Sequence, residues 1–226
     1  MTEVASRVLT LALDASTYQG TVAVIDGSTV VAAETVAMRG ADEERLMPAV
    51  GAALSTAGVA PRDLARVVCG AGPGSFTSLR IAGSIAKGIA MAAGIPLHAV
   101  PSLLLVAAGA EPGLEAGRYL ALLDAMRDER FAAEVVVGDD GRITLAGPHS
   151  LLPVQAAAEL AKAKGLRRVG PAEEVELWPH ARGLARLAGS PLVQPVPLDS
   201  WEPDYGRLAE AQVKWEAAHA RPLPVP

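Results

Sequence analysis

Apolar positions follow two rhythms along this chain. Residues 8–13 (VLTLAL), 20–25 (GTVAVI) and 29–36 are short apolar or alternating runs, separated by the polar turn Asp14-Ala-Ser-Thr17 and by Asp26-Gly27. Runs of this length between turn residues predict three strands in an antiparallel meander, with Asp-Gly making a hairpin. The period then lengthens. Leu46, Met47, Val50, Ala53, Leu54 and Ala57 recur at helical spacing, which predicts a helix over 42–57. Asp42 would cap it, Glu43 and Glu44 suit its N-terminal dipole, and Gly58 ends it. A strand at 65–70, a glycine-rich loop, a helix over 77–93, a strand at 97–100 and a helix over 102–110 capped by Ser102 complete the first half.

The order then repeats. "YLALLDAMRDERFAAEVVVGDDG" (119–141) resembles "LTLALDASTYQGTVAVIDG" (9–27): an apolar strand ending in Asp, a polar turn, a second strand and an Asp-Gly hairpin. Asp14 matches Asp124. A strand at 142–146, a helix over 154–164, a strand at 167–170, a helix near 181–188 and an extended stretch at 192–198 follow. The expected organisation is a first subdomain over 1–110 and a looser copy over 111–226. A meander followed by α/β units gives mixed sheets covered by helices, hence an α/β fold class. Two such units side by side leave a cleft, the architecture of the actin-like, ribonuclease H-like ATPase superfamily.

Composition narrows the function. Half of the residues are apolar and the formal net charge is −5, as in a globular protein. Aromatic residues make up only 4%, so the core must be aliphatic. An acidic chain is poorly suited to gripping nucleic acid alone. Cys69 is the only cysteine and sits in the apolar run Val67-Val68-Cys69, which excludes an intrachain disulfide and reads as a buried small hydrophobe. The four histidines are scattered without metal-ligand spacing, so no metal is expected. No leader-like segment and no uninterrupted apolar run of membrane-spanning length is evident, so a cytoplasmic location and no membrane partner are expected.

The chemistry-bearing candidates cluster at two places. Asp14-Ala-Ser-Thr17 could hold hydrated Mg²⁺ and phosphate oxygens, or Asp14 could bond turn amides. Asp124 lacks a nearby glycine and is a poorer ligand candidate. The loop "CGAGPGSFTSLR" (69–80) places Gly70, Gly72 and Gly74 between a strand and a helix. It satisfies neither a Walker pattern nor GxGxxG, and Ser75 is not flanked as a nucleophile elbow requires. What remains is a sharp turn, with Ser75 or Thr77 capping the next helix and Arg80 adding charge for an anion. An active ATPase or sugar kinase is the alternative that Asp14 and Thr17 keep open.

The helix after the loop carries Ala82, Ala86, Ala90 and Gly94 every fourth residue, with Gly83 adjoining and Leu79, Ile81, Ile85 and Ile89 around them. A helix apolar nearly all round is covered on more than one side. One side would cover its own sheet. With Leu46, Val50 and Leu54 of the preceding helix, the strip Leu79, Ala82, Gly83, Ala86 and Ala90 is the expected partner interface, a four-helix bundle in a dimer.

"GAGPGSFTSLRIAGSIAKGIA" (70–90), with "LALDAST" (11–17) before it and "IPLHAVPSLL" (95–104) after it, resembles the bacterial TsaB (YeaZ) family. "LLDAMRDERFAAEV" (122–135) is similar to that family's DARRxEVY segment, and "EPDYGRLAEAQVKW" (202–215) to its C-terminal signature, where Tyr-x-Arg precedes a last helix. Ser78 stands where the family usually has Gly, and Ala15 where it has Thr. The resemblance implies a non-catalytic subunit that takes up no cofactor. Such a subunit pairs with a catalytic TsaD-type subunit and, with a third ATPase subunit, serves tRNA threonylcarbamoyladenosine biosynthesis. It implies self-association in isolation, and contact with tRNA only through the complex.

Overall fold

The computed structural model describes residues 8–40, 44–207 and 219. The expected cap at Asp42 and the expected last helix after Arg207 lie outside the described residues. The first half runs β1 (Leu9–Asp14), β2 (Gln19–Asp26), β3 (Thr29–Ala37), α1 (Leu46–Ala57), β4 (Arg66–Gly70), α2 (Phe76–Ala93), β5 (Leu97–Val100) and α3 (Ser102–Ala108). The second runs β6 (Gly117–Asp124), β7 (Glu129–Val137), β8 (Ile143–Leu145), β9 (Ser150–Pro153), α4 (Val154–Lys164), β10 (Arg167–Gly170), β11 (Val175–Glu176) and β12 (Gln194–Pro195). The helix expected near 181–188 is a 3₁₀ segment, Ala181–Leu187, and β9 and β11 were not signalled by the pattern.

The strands form two sheets of matching order, β12-β5-β4-β1-β2-β3 and β11-β10-β6-β7-β8, with β9 pairing β7. In each, the first strand pairs antiparallel with the second and parallel with the strand after the helix: Asp14 faces Thr21 and Leu13 faces Cys69, as Asp124 faces Arg130 and Ala121 faces Val169. This is the duplicated actin-like α/β architecture. β1 is buried along its whole length because α2 covers one face and the Ala181–Leu187 segment and α3 the other, so it reads as an apolar run interrupted only by Thr10 before Asp14. β3 is the sheet edge, and its burial alternates. Gly58, Gly94 and Gly165 end α1, α2 and α4 in the left-handed conformation that glycine adopts without strain. α1 begins at Leu46, where the Glu44 carboxylate accepts the N–H groups of Leu46 and Met47.

α3 is the keystone of the core. All seven of its residues are buried between the two sheets, against Ala12, Ala23 and Val68 on one side and Ala121, Leu123 and Val135 on the other. The outer face of the first sheet buries Leu11, Leu13, Val22 and Val24 under α1 and α2. α4 covers Leu120 and Leu122 of the second sheet with Ala157 and Ala161. Cys69 is fully buried; burial, then the Asp14 charge, pushes its thiol up, which makes it inert. The division at residue 110 is not clean: the Ala181–Leu187 segment packs on β1, β2 and β3, and β12 pairs antiparallel with β5. The stretch from 180 to 195 thus returns to the first sheet.

That return is fastened by His180. Its Nδ1 accepts the Arg182 N–H (3.1 Å), its Nε2 lies 3.3 Å from the Thr35 hydroxyl of β3, and the Ala181 N–H donates to Thr21 Oγ1 (3.0 Å). Burial, then nearby Arg182, lowers the His180 pKa from 6.5 to about 4. The unfolded chain therefore binds this proton first. The contribution is complete above pH 6.5 and is lost as pH falls from there toward 4. Denaturant unfolding at pH 7 and near pH 4.5 should show this loss, and His180→Gln should flatten the difference.

Candidate functional site

Asp14 ends β1, where a phosphate- or metal-binding carboxylate would sit, but its side chain is fully buried. Oδ1 accepts from the Ser16 N–H (3.0 Å) and Ser16 hydroxyl (2.8 Å), and Oδ2 accepts from the Ser102 hydroxyl (2.6 Å). Burial raises its pKa, against the lowering effect of the Ser102 and Ser16 bonds. The glycines of the loop serve this packing. A Cβ on Gly70 would fall 1.9 Å from Asp14 Oδ2, and one on Gly74 would fall 2.0 Å from the Ser16 carbonyl oxygen, which accepts the Ser75 N–H (2.7 Å). The loop is folded onto the Asp14 turn rather than opened as a cradle.

Ser102 joins the two: its hydroxyl donates to Asp14 and accepts the Gly72 N–H (3.0 Å). Ser102→Ala strands a buried carboxylate oxygen and a buried amide. Urea unfolding should show a loss of about 3 kcal/mol.

Ser75 is the N-cap residue of α2, yet its side chain makes no capping bond; its Oγ lies 3.1 Å from Ser78 Oγ. Ser78 is buried, so its hydroxyl points into the chain. Phe76, Thr77 and Arg80 are exposed, with the Arg80 guanidinium 5.3 Å from the centre of the Phe76 ring.

The small-residue strip of α2 belongs to the chain's own core. Leu46, Leu79, Ala82, Ala86 and Ala90 are 0% exposed, Val50 is 1% and Leu54 is 7%. All but Leu79 lie in the cluster under the first sheet. The small side chains let α2 lie close to its own strands, and the expectation that this strip meets a partner is corrected accordingly. Gly83 is buried too, beneath Trp201 and Pro203: a Cβ there would touch Pro203 Cγ at 3.4 Å. What α2 leaves open is its far face. Ile85, Gly88, Ile89 and Ala92 join Met47 of α1 and Pro61 around a shallow apolar groove of about 620 Å³. Met47 is 49% exposed and Met91, next along the helix, 66%.

A larger cleft of about 1160 Å³ opens where the two halves meet. The two equivalent turns face each other across it, Ser16–Tyr18 after β1 and Ala125–Arg127 after β6, and the Tyr18 hydroxyl donates to Met126 Sδ (3.1 Å). Ser75 and Thr77 line the cleft; Asp14 does not. Asp124 does, but its Oδ1 is held by the Met126 N–H (3.0 Å) and by Arg130 Nη1 (3.1 Å). Met126, Arg127 and Asp128 are consecutive left-handed residues (φ 62, 55 and 59°), a costly turn for non-glycine side chains. Arg39, Arg130, Arg207, Trp178 and Tyr205 also converge here from distant segments. The internal repeat, which pairs the two turns, was the one sequence signal that could have placed them opposite each other.

A family described as TsaD, tRNA N6-adenosine threonylcarbamoyltransferase, matches residues 37–174. Over 227 residues the chain is 30% identical to the Bacillus subtilis (strain 168) tRNA threonylcarbamoyladenosine biosynthesis protein TsaB, covering 91% of this chain and 96% of that protein. Its Escherichia coli (strain K12) namesake is 36% identical over 131 residues, 58% of this chain and 56% of that protein. The solved structure of YeaZ from Pseudomonas aeruginosa aligns over 88% of this chain and 99% of its own length, with a TM-score of 0.70 and 29% identity.

Proposed function

This chain belongs to the TsaB (YeaZ) family, and from that premise we propose that it serves tRNA threonylcarbamoyladenosine biosynthesis as a non-catalytic subunit, docking a catalytic TsaD-type subunit through the outer face of α1 and α2. The open apolar groove is the observation that carries this reading. Met47, Ile85 and Ile89 present apolar surface that nothing in the described chain covers, and Gly88 leaves its centre low enough for a partner helix to approach. Adding two helices from a partner would bury it as a four-helix bundle. The same face would support a homodimer in the absence of the partner, since a two-fold axis can set one patch against its copy. A third, ATPase subunit completes the proposed assembly, and tRNA reaches the catalytic centre on the partner.

The non-catalytic assignment is supported by the state of the Asp14 turn. A carboxylate that is fully buried, engaged by Ser16 and Ser102 and absent from the lining of the cleft does not reach a Mg²⁺–phosphate group bound there. An ATPase or kinase would require that turn to open. Light scattering of this chain mixed with its cognate TsaD-type protein should report a complex heavier than either component; components that remain separate would overturn the docking reading.

A further inference from the structure

We propose that the cleft between the two halves is a binding site for unpaired RNA, taking bases on its aromatic rings and phosphates on its arginines. The concentration of side chains is the first reason. The chain has only two Phe, three Tyr and three Trp, yet Tyr18, Phe76, Phe131, Trp178 and Tyr205 all line this one cavity. Phe131 is buried in the floor, while Tyr18, Phe76, Trp178 and Tyr205 keep accessible ring surface. Rings collected in this way are a stacking platform, because every base has a π-face.

The cations are the second reason. Among the described residues, all those lining the cleft are arginine (Arg39, Arg127, Arg130 and Arg207) and none is lysine. Arginine stacks on rings and meets phosphate with a planar fork, which lysine does not. One ring–guanidinium pair lies in the first-half wall, the Arg39 guanidinium 3.3 Å from the Tyr18 ring centre; beside the wall, Arg80 approaches the lining ring of Phe76 at 5.3 Å, and that ring packs 4.5 Å from that of Tyr205. Successive nucleotides need this alternation of one flat surface with one cation. Carboxylates face two of the other arginines: Arg130 meets Asp124 at 3.1 Å and Glu173 at 3.5 Å, and Arg207 meets Glu129. These pairs fix the second-half guanidinium groups in place. The Arg39 side of the cleft is where phosphate charge is best met.

Size and the closed Asp14 turn choose the occupant. The cavity, about 1160 Å³, exceeds the roughly 300–1,000 Å³ of a small-molecule pocket. A free nucleoside triphosphate would also need a phosphate cradle, and the two segments that could provide one, 14–17 and 70–75, are packed against each other. A strand carrying one phosphate per base needs no such cradle. The acidic balance of the whole chain keeps this binding weak and salt-sensitive.

The test uses the full chain, alone and mixed with its cognate TsaD-type protein. Fluorescence anisotropy follows a short, unstructured, labelled single-stranded RNA at low salt. Phe76→Ala and Arg39→Ala are both at exposed positions. Saturable binding is expected, weakened at least about fivefold by Phe76→Ala. For three phosphate contacts, binding should weaken on the order of tenfold from about 50 to about 200 mM salt. Three results would overturn the proposal: no saturable binding in either sample, affinity unchanged from the wild type in both variants, or competition by AMP or ATP as effective as by unlabelled RNA. The last would make the cleft a mononucleotide pocket. None of these outcomes depends on whether α1 and α2 dock a partner.

Discussion

Gly88→Arg should leave the folded chain intact and weaken its association at least about thirtyfold. Gly88 sits on the open face of α2, and a Cβ added there would meet nothing within 4 Å among the described residues. Within a helix, arginine is preferred over glycine by roughly 1 kcal/mol, so thermal unfolding should occur at an unchanged or slightly higher temperature. In the proposed complex the same position lies at the centre of an apolar contact. A guanidinium there must be buried without a partner or must hold the two surfaces apart. The loss should match that of an interface hot spot, about 2 kcal/mol or more, which is roughly a thirtyfold rise in Kd. Titration calorimetry against the TsaD-type protein, with circular dichroism melting of the variant alone, reads both effects. Undiminished association of a well-folded variant would move the docking surface elsewhere.

Ala86→Arg, one turn along the helix at most, should do the opposite. Ala86 is fully buried against the first sheet, in the same cluster as Leu11, Val22 and Cys69. Arginine adds a long side chain to a close-packed interior and brings a charge with no acidic partner in that cluster. Destabilisation above about 4 kcal/mol is expected, enough to unfold a domain of ordinary stability. The measurement is soluble yield and denaturant unfolding, not association. A well-folded Ala86→Arg protein would mean that α2 can roll on its sheet and would undermine the assignment of its two faces. The pair of variants separates the two roles of one helix: position 86 reports on the fold and position 88 on the partner.

Much of the fold was legible in the sequence because strand and helix periods are local. The apolar runs of β1, β2 and β4, the Gly58, Gly94 and Gly165 helix ends, and the doubled strand–turn–strand pattern around Asp14 and Asp124 could each be read within one segment. β9 and β11 could not. Leu151 is 38% exposed, and β11 is only two residues long, so neither carries a burial signal of its own. The 3₁₀ segment Ala181–Leu187 mimics a helix because its buried Ala181, Leu184, Ala185 and Leu187 fall at spacings of three and four.

By itself, then, the sequence determined most of the element order, though not β9, β11 or the 3₁₀ form of Ala181–Leu187, together with the duplication, the family and the fact that α2 must be covered on more than one side. Those follow from periodicity and from motif residues adjacent along the chain. Tertiary structure decided which side of α2 is which. Ala82, Ala86 and Ala90 form the inner seam because small residues there let the helix lie against β1 and β4, which leaves the bulkier Ile85 and Ile89 outward with Gly88 between them. A helical wheel cannot distinguish two apolar faces; only the position of the sheet does. Tertiary structure also sealed Asp14, since Ser102 reaches it from α3, 88 residues away. The cleft, too, was assembled only by folding: Tyr18, Arg39, Phe76, Trp178 and Tyr205 are spread over most of the sequence and become neighbours when the two halves close on α3.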